Sequence, residues 1–487
     1  MNARIRFCRW FAFLACAVAA AAGPPRTPAD FFGLARIWDV RLALSADDWQ
    51  SMEPVESARD GGPRPDQPPG GKREYPWAKA RFECEGVVLS NVAVRFKGNS
   101  SFMMSRRGLK RPFRIDFDRD APGRAFAGLG GLMLGNNAND PSQMHEALAY
   151  AAFARAGVPA PRTAFVRLHL EVPGIADGYV GLYTAVEPVD GRFLKARFGS
   201  HDGLLAKPER MPGPRYFGED WETYAERFEV KRAGNKADRR RLIDFARLAD
   251  RAPETEFAER LGSFVDVGEL SRFVAVNAWL ANMDSLLGTG HNHYLHVAPD
   301  GRVRFIPWDL NEAFGGHPGA GPASQQLGFD VLHPHAPSIR FLDRFLAHPD
   351  FARRYRDELT RLATNALSSD RFLSDARSVA AAIGPAVEDE SKLARANFHR
   401  NAPGETNAAV RGPRLGGPGG PVPPPFATVP LPDWIRGRER EVAAQLAGEK
   451  TGTRPRVGGP GRPGGPGMGG PGGPRPRSPQ RLGPPPF

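Results

Sequence analysis

Asp284, Asn292 and Asp309 sit close together along the chain, in the stretch N-M-D-S-L-L-G-T-G-H-N-H-Y-L-H-V-A-P-D-G-R-V-R-F-I-P-W-D-L-N-E-A-F-G from Asn282 to Gly315. Two carboxylates and an amide are the parts of a phosphoryl-transfer site. One carboxylate receives or orients an attacking hydroxyl, while the amide oxygen and the second carboxylate hold magnesium against phosphate oxygens. Asp284 is expected to close an apolar helix, V-A-V-N-A-W-L-A-N-M-D, where an acid opposes the helix dipole and is costly to bury without a partner. Asp309 follows an apolar strand, Val303 to Pro307, between Trp308 and Leu310, and the same burial argument applies to it. His291, His293 and His296 flank Asn292. Alternation in a strand puts His291 and His293 on one face and His296 on the other, and no cysteine completes a zinc set.

A second group lies earlier. The loop R-F-K-G-N-S-S-F places Gly98, Asn99, Ser100 and Ser101 at a tip between two strands, where small residues let backbone N–H groups approach a phosphate. The return, R-R-G-L-K-R-P-F-R-I-D-F, sets Lys110 and Arg111 at the mouth of the next strand, and Lys110 is the expected phosphate partner. Glu146, early on a helix, is placed to pair with such a lysine or to sit favourably near the helix N-terminus. Glu187 ends a strand just before Pro188, where its backbone can meet a nucleotide base. Lys207 in G-L-L-A-K-P-E is expected to face the same cleft. G-x-S-x-G, G-x-x-x-x-G-K-[ST] and H-E-x-x-H strings are all missing, so the serine-hydrolase, P-loop and zincin readings lack their signatures.

The elements that must position these groups alternate along the chain. Ile37–Leu44, Ala78–Phe82, Val92–Phe96, Pro112–Phe117, Phe165–Glu171 and Tyr179–Val186 read as strands. Ser142–Ala156 reads as a helix with a serine cap and Gly157 as its stop. The second half is mostly helical: Ala237–Arg251, Asp266–Met283, Phe341–Leu362 and Ser368–Lys392, the last two interrupted at Pro349 and Pro385. The fold class is therefore α+β, with a strand-rich N-terminal lobe and a helical C-terminal lobe that holds the acidic site.

Composition sets the context. The chain of 487 residues carries a formal charge of +12. Three of those charges are Arg4, Arg6 and Arg9, and six are arginines between Thr451 and Phe487, a stretch without an acid; removing them leaves +3, too little for a duplex-binding surface, and no nucleic-acid partner is expected. Arginines followed by the apolar run Trp10–Ala22 make residues 1–23 a signal peptide, with an uncleaved anchor or lipidation at Cys16 as the only membrane routes. Loss of that leader removes Cys8 and Cys16 and leaves Cys84 with no internal disulfide partner. Residues 30–400 form the expected catalytic domain, with a flexible excursion near 56–72. A Gly/Pro-rich insert spans 401–426, a helix docking back on the body spans 427–449 through Trp434, Ile435, Val442 and Leu446, and a disordered Gly/Pro/Arg-rich tail spans 450–487, where Gly and Pro supply 23 of the last 37 residues.

Read together, V-R-F-K-G-N-S-S, K-R-P-F-R-I-D-F, N-N-A-N-D-P-S-Q-M-H-E-A-L-A-Y, G-Y-V-G-L-Y-T-A-V-E, G-L-L-A-K, N-M-D-S and H-N-H-Y-L-H…I-P-W-D-L-N-E-A-F-G make the chain resemble the CotH kinase family of secreted or surface-associated atypical protein kinases, named for a spore-coat protein. The resemblance covers about Asp30 to Arg400. It implies a protein-kinase-like fold, ATP with Mg2+ as cofactor, and phosphorylation of hydroxyls on an exported or surface protein substrate. By motif, Asp284 looks like the catalytic aspartate, and Asp309 with Asn292 looks like the magnesium ligands. W-D-L-N stands where other kinases carry D-F-G. The rival readings are a catalytically silent kinase-like coat or surface binding protein, and nucleotidyl rather than phosphoryl transfer.

Overall fold

The computed structural model describes residues 23–56, 73–209, 211–403 and 429–457. The expected leader, nearly all of the 56–72 excursion and the 401–426 insert, and most of the 450–487 tail lie outside them. No helix among the described residues is long and apolar enough to cross a membrane.

The fold is mixed α+β, and its strand-rich front is a closed barrel. The strands are β1 Gly33–Ala43, β2 Ala78–Cys84, β3 Val87–Phe96, β4 Phe113–Asp116, β5 Gly131–Gly135, β6 Thr163–Val172 and β7 Ala176–Val186. They run in the order β1-β2-β3-β4-β5-β7-β6, and β6 returns to pair parallel with β1, Trp38 opposite Val166. Alternation explains the filling. Val92, Val94 and Phe96 of β3, with Phe113 and Ile115 of β4, fill the barrel with Trp38, Phe82 and Tyr183. The intervening Arg95 and Arg114 therefore point outward. A barrel removes the exposed edges that an open sheet would leave.

A second, four-stranded sheet has the order β9-β8-β10-β11, from β8 Leu204–Pro208, β9 Phe228–Ala233, β10 His293–Val297 and β11 Val303–Pro307. It packs with the helices around a separate and larger apolar cluster.

Several helices depart from the sequence reading. The helix expected to reach Met283 is Val267–Trp279, because Ala281 at φ 46° turns the chain and the Asn282 side chain donates to Asn277 Oδ1 at 2.9 Å. Asp284 therefore lies in a loop and does not close a helix. The helix His145–Arg155 starts later than expected: the His145 N–H donates to Asp140 Oδ2 at 2.6 Å, while Ser142 Oγ accepts from the Met144 N–H at 3.3 Å, just before the helix. The break at Pro349 is present, between Arg340–Ala347 and Pro349–Ala363. Ser369–Glu390, however, runs unbroken through Pro385. Pro385 and Ala381 both lie on its exposed face, where water can take the carbonyl that proline leaves unbonded.

The helix Leu431–Leu446 packs on the body through buried Trp434, Ile435 and Val442. Arg438, on the same helix, is fully buried. Its guanidinium donates to the carbonyls of Ala278 (2.7 Å), Trp279 (3.1 Å), Leu327 (2.6 Å) and Phe329 (2.9 Å). Two of those carbonyls end the helix whose loop carries Asp284, where a cation also meets the negative end of the dipole.

Candidate active site

The loop after Trp279 folds on its own polar groups. Ser285 Oγ donates to Asn282 O at 2.6 Å, and the Gly290 N–H donates to Ser285 O at 2.9 Å. This turn holds Asp284 half-buried, with both carboxylate oxygens engaged: Oδ1 accepts from Thr289 Oγ1 at 2.9 Å and Oδ2 from Asn292 Nδ2 at 2.7 Å. His291 Nδ1 stands 4.0 Å from Oδ1. Charged acceptors make the stronger class of hydrogen bond, so the carboxylate is fixed in direction while one side stays open to solvent.

Asn292 and Asp309 flank the two ends of one hairpin. His293 of β10 pairs with Pro307 of β11, and the Trp308 N–H donates to Asn292 O at 3.0 Å, so Asp309 follows one residue beyond that bond. Both residues occupy left-handed backbone, φ 55° at Asn292 and φ 54° at Asp309, as do Ala281 and Phe314 nearby. Such conformations cost about 1–2 kcal/mol per non-glycine residue and concentrate where a site needs particular side-chain directions. The Asp309 N–H donates to Tyr150 Oη at 3.0 Å, tying the segment to the helix His145–Arg155.

That helix delivers Glu146. The residue is buried, its carboxylate accepts from the Leu310 N–H, and burial together with the charge of Asp309 pushes its carboxyl up to about 8, against a smaller opposing pull from Lys97. A Cβ at Gly135 of β5 would meet Glu146 Oε2 at 2.9 Å, so glycine there lets the carboxylate seat against the barrel wall. Lys97, one residue past β3, is thus the lysine at Glu146, and its side chain forms no ion pair among the described residues. Sequence reading passed over it in favour of Lys110, although Lys97 shares the outward face of Arg95; two-residue periodicity was the signal available.

Glu312 and His317 complete the surroundings. Glu312 Oε2 is 2.6 Å from His317 Nδ1, and Asn139 Nδ2 donates to Oε1 at 3.1 Å. Donor atoms of Asp284, Glu312 and His317 lie within 4.8 Å of one another. Burial raises Glu312, the charges of Asp284 and Asp309 add to that, and Glu312 in turn raises His317. Both aspartates therefore lie within electrostatic reach of Glu312.

The donor set fits a divalent cation. Asn292 gives its nitrogen to Asp284, which leaves its oxygen as a donor; Asp309 and Glu146 supply further hard oxygens, and a carboxyl held up by a neighbouring negative charge marks a place where positive charge is wanted.

Other expected positions fall elsewhere. The pairing of Lys110 with Glu146 is absent, because Lys110 Nζ bonds Glu390 Oε1 at 2.7 Å and Gln143 Oε1 at 3.1 Å and so joins the barrel to the end of Ser369–Glu390. Glu187 is buried with its carboxylate held by Arg162 and by Arg197 Nη2 at 3.0 Å, while its N–H donates to Arg162 O at 2.9 Å, so that backbone donor is already used. Gly98, Asn99, Ser100 and Ser101 enter the short helix Ser100–Ser105 where a plain loop was expected, and the Gly98 carbonyl accepts from Tyr75. Lys207 lies in β8, where its charge acts on His293 and Glu229. His293 and His296 bond the carbonyls of His291 and Leu204, each at 3.0 Å, and burial holds His293 down to about 4; the three histidines do not converge on a metal.

Among solved structures, a chain of the Shewanella oneidensis MR-1 toxin–antitoxin system HipA, HipB and its operator DNA complex is similar at 15% identity over 55% of each chain, with a TM-score of 0.25. The match spans about half the length of that protein. No curated protein matches. The CotH kinase protein family matches residues 94–404, a range that contains Lys97, Glu146, Asp284, Asn292 and Asp309, and the chain belongs to that family.

Proposed function

We propose that this chain is an exported atypical protein kinase with a two-lobed, kinase-like layout that transfers the γ-phosphoryl group of ATP to a hydroxyl of a protein substrate. The observation that carries the proposal is the bond of 2.7 Å between Asn292 Nδ2 and Asp284 Oδ2, made at the end of the hairpin that also carries Asp309. In this reading the bond aligns a proton acceptor and leaves Asn292 Oδ1 as the neighbouring metal ligand.

In this reading the Asp284 carboxylate meets the acceptor hydroxyl, orients its lone pair and takes its proton. Thr289 and Asn292 hold that carboxylate in one direction, which lowers the reorganisation needed on reaction. Asn292 Oδ1 and the Asp309 carboxylate would hold Mg2+, with Glu146 behind them and Lys97 as the cation that faces phosphate. Bound Mg–ATP supplies the transferable phosphoryl group and neutralises its charge. Gly98 to Ser101, directly after Lys97, would border the same phosphates. Lys110 has no part, since its side chain ties the barrel to Glu390, and the Glu187 carboxylate has none, since Arg162 and Arg197 hold it.

The test is transfer from ATP labelled at the γ-phosphate to a generic protein acceptor with magnesium, comparing wild type with Asp309→Asn. Asparagine is chosen because it tolerates the left-handed backbone at this position better than alanine. Label on the acceptor with wild type and not with the variant supports the reading. Equal labelling overturns it. Label from the α-phosphate would indicate nucleotidyl transfer, and ATP binding without any transfer would indicate a silent binding protein.

A further inference from the structure

Arg95 and Arg114 stand opposite each other on β3 and β4, outside the barrel. With Arg119 they converge on one ring: their guanidinium carbons lie 5.0, 5.3 and 4.7 Å from the Trp77 centroid. Lys207 and Lys231, from β8 and β9, act electrostatically on the same group through Glu229 and Arg114. Five cations thus gather with two carboxylates, Glu229, already bound by Lys231, and Asp116, 3.4 Å from Arg114. Among the described residues no acid forms an ion pair with Arg95, Arg119 or Lys207. Burial and the Arg114 charge hold Arg95 down to about 10, and its Nε is buried without a hydrogen-bond partner. The cations are under-compensated, and Trp77 holds three of them in a fixed fan at a cost that a ligand's charge would offset.

We propose that Arg95, Arg114 and Arg119, with Lys207 and Lys231, form an acceptor subsite that takes an acidic segment, rich in Asp or Glu, of the protein being modified. The group grades from exposed Arg119 to half-buried Arg114 and Arg95, which suits a chain entering from solvent. Buried Tyr294 lies within electrostatic reach of Glu229, Arg114 and Asp309, so the subsite and the candidate metal ligand act on one common neighbour. The chain's own remaining segments do not suit it: from Thr451 onward it carries six arginines and no acid, residues 57–72 carry three cations against two acids, and residues 404–428 carry two cations against one acid. The occupant is therefore another molecule. This inference rests on the kinase reading for its function, but binding can be measured without turnover.

The experiment uses the full chain and serine peptides of one scaffold flanked by Glu, Gln or Lys. Binding is read by fluorescence anisotropy with the Asp309→Asn protein, and transfer by kcat/KM with wild type. The Glu-flanked peptide is expected to bind about tenfold more tightly than the Gln-flanked one, with the preference shrinking as salt is added and confined to KM. Arg95→Gln/Arg119→Gln should erase the preference and leave the KM for ATP unchanged; Arg119→Gln alone, at an exposed position, should erase part of it if the double variant folds poorly. Equal binding of the three peptides overturns the proposal, as does a double variant that loses ATP and keeps its peptide preference. Failure of transfer in wild type with intact acidic-peptide binding would overturn the kinase reading and leave the subsite standing.

Discussion

Replacing Arg438 by methionine tests how the site is braced. Methionine keeps much of the volume and removes the charge and every donor. Of the four carbonyls that Arg438 bonds, Ala278 O also accepts from the Ala281 N–H at 3.1 Å, and Phe329 O from Gln445 Nε2 at 3.2 Å. Trp279 O would be left buried, and Leu327 O part-buried, with no donor. Each orphaned acceptor costs about 1–3 kcal/mol, and the lost cation at a helix C-terminus adds up to about 1 kcal/mol. The expected destabilisation is about 4 kcal/mol. Urea unfolding followed by tryptophan fluorescence reads it directly, since Trp279 and Trp434 pack beside the substituted residue with ring centroids 6.0 Å apart. Arg438→Lys, which keeps the charge with fewer donors, should recover part of the loss. A loss below about 1 kcal/mol for Arg438→Met would refute the claim that this guanidinium holds the segment leading into Asp284.

Other consequences follow from the site. Asn292→Ala removes the donor to Asp284 Oδ2 and an oxygen ligand together, and transfer should fall at least tenfold to a hundredfold, the value of about 1.5–3 kcal/mol for a hydrogen bond to a charged group, while unfolding shifts by the roughly 1 kcal/mol that alanine costs at this left-handed backbone. Glu146 is held up to about 8 in the folded protein against 4.5 for a free carboxyl. Between those values the folded state carries the extra proton, so stability falls as pH rises through the window and levels above it; thermal denaturation from pH 5 to 9 should show that slope in wild type and a flatter one in Glu146→Gln. Mg2+ added alone at pH 7 should release protons, measured by calorimetry in buffers of differing ionisation enthalpy, and Glu146→Gln should release fewer. Gly135→Ala puts a Cβ 2.9 Å from Glu146 Oε2, and weaker Mg2+ binding with the fold retained is expected in the same titration.

What the sequence made legible was governed by local periodicity. Alternation in V-A-V-R-F and F-R-I-D-F marked β3 and β4, and the carboxylate–amide–carboxylate spacing marked the stretch where Asp284 and Asn292 meet. Closure of the barrel was not legible, because the parallel pairing of β1 with β6 joins residues more than a hundred positions apart and leaves no local pattern. The end of the helix at Trp279 was hidden too: its apolar rhythm continues to Met283, and the chain stops only because Asn277, Asn282 and Arg438 supply tertiary partners. Lys110 was the reasonable cation from its position at a strand mouth, yet its choice of Glu390 depends on a helix end far along the chain. Lys97 needed the three-dimensional placement of Glu146 to stand out.

The central claim is that Asn292 and Asp309 share one divalent ion next to the Asp284 carboxylate. Crystals soaked with Mn2+ and a non-hydrolysable ATP analogue, measured for anomalous scattering, locate that ion without relying on activity. A peak within about 2.2 Å of Asn292 Oδ1 and an Asp309 carboxylate oxygen is the predicted result. A peak on Glu312 and His317, with Asp309 left without a metal contact, would contradict the account.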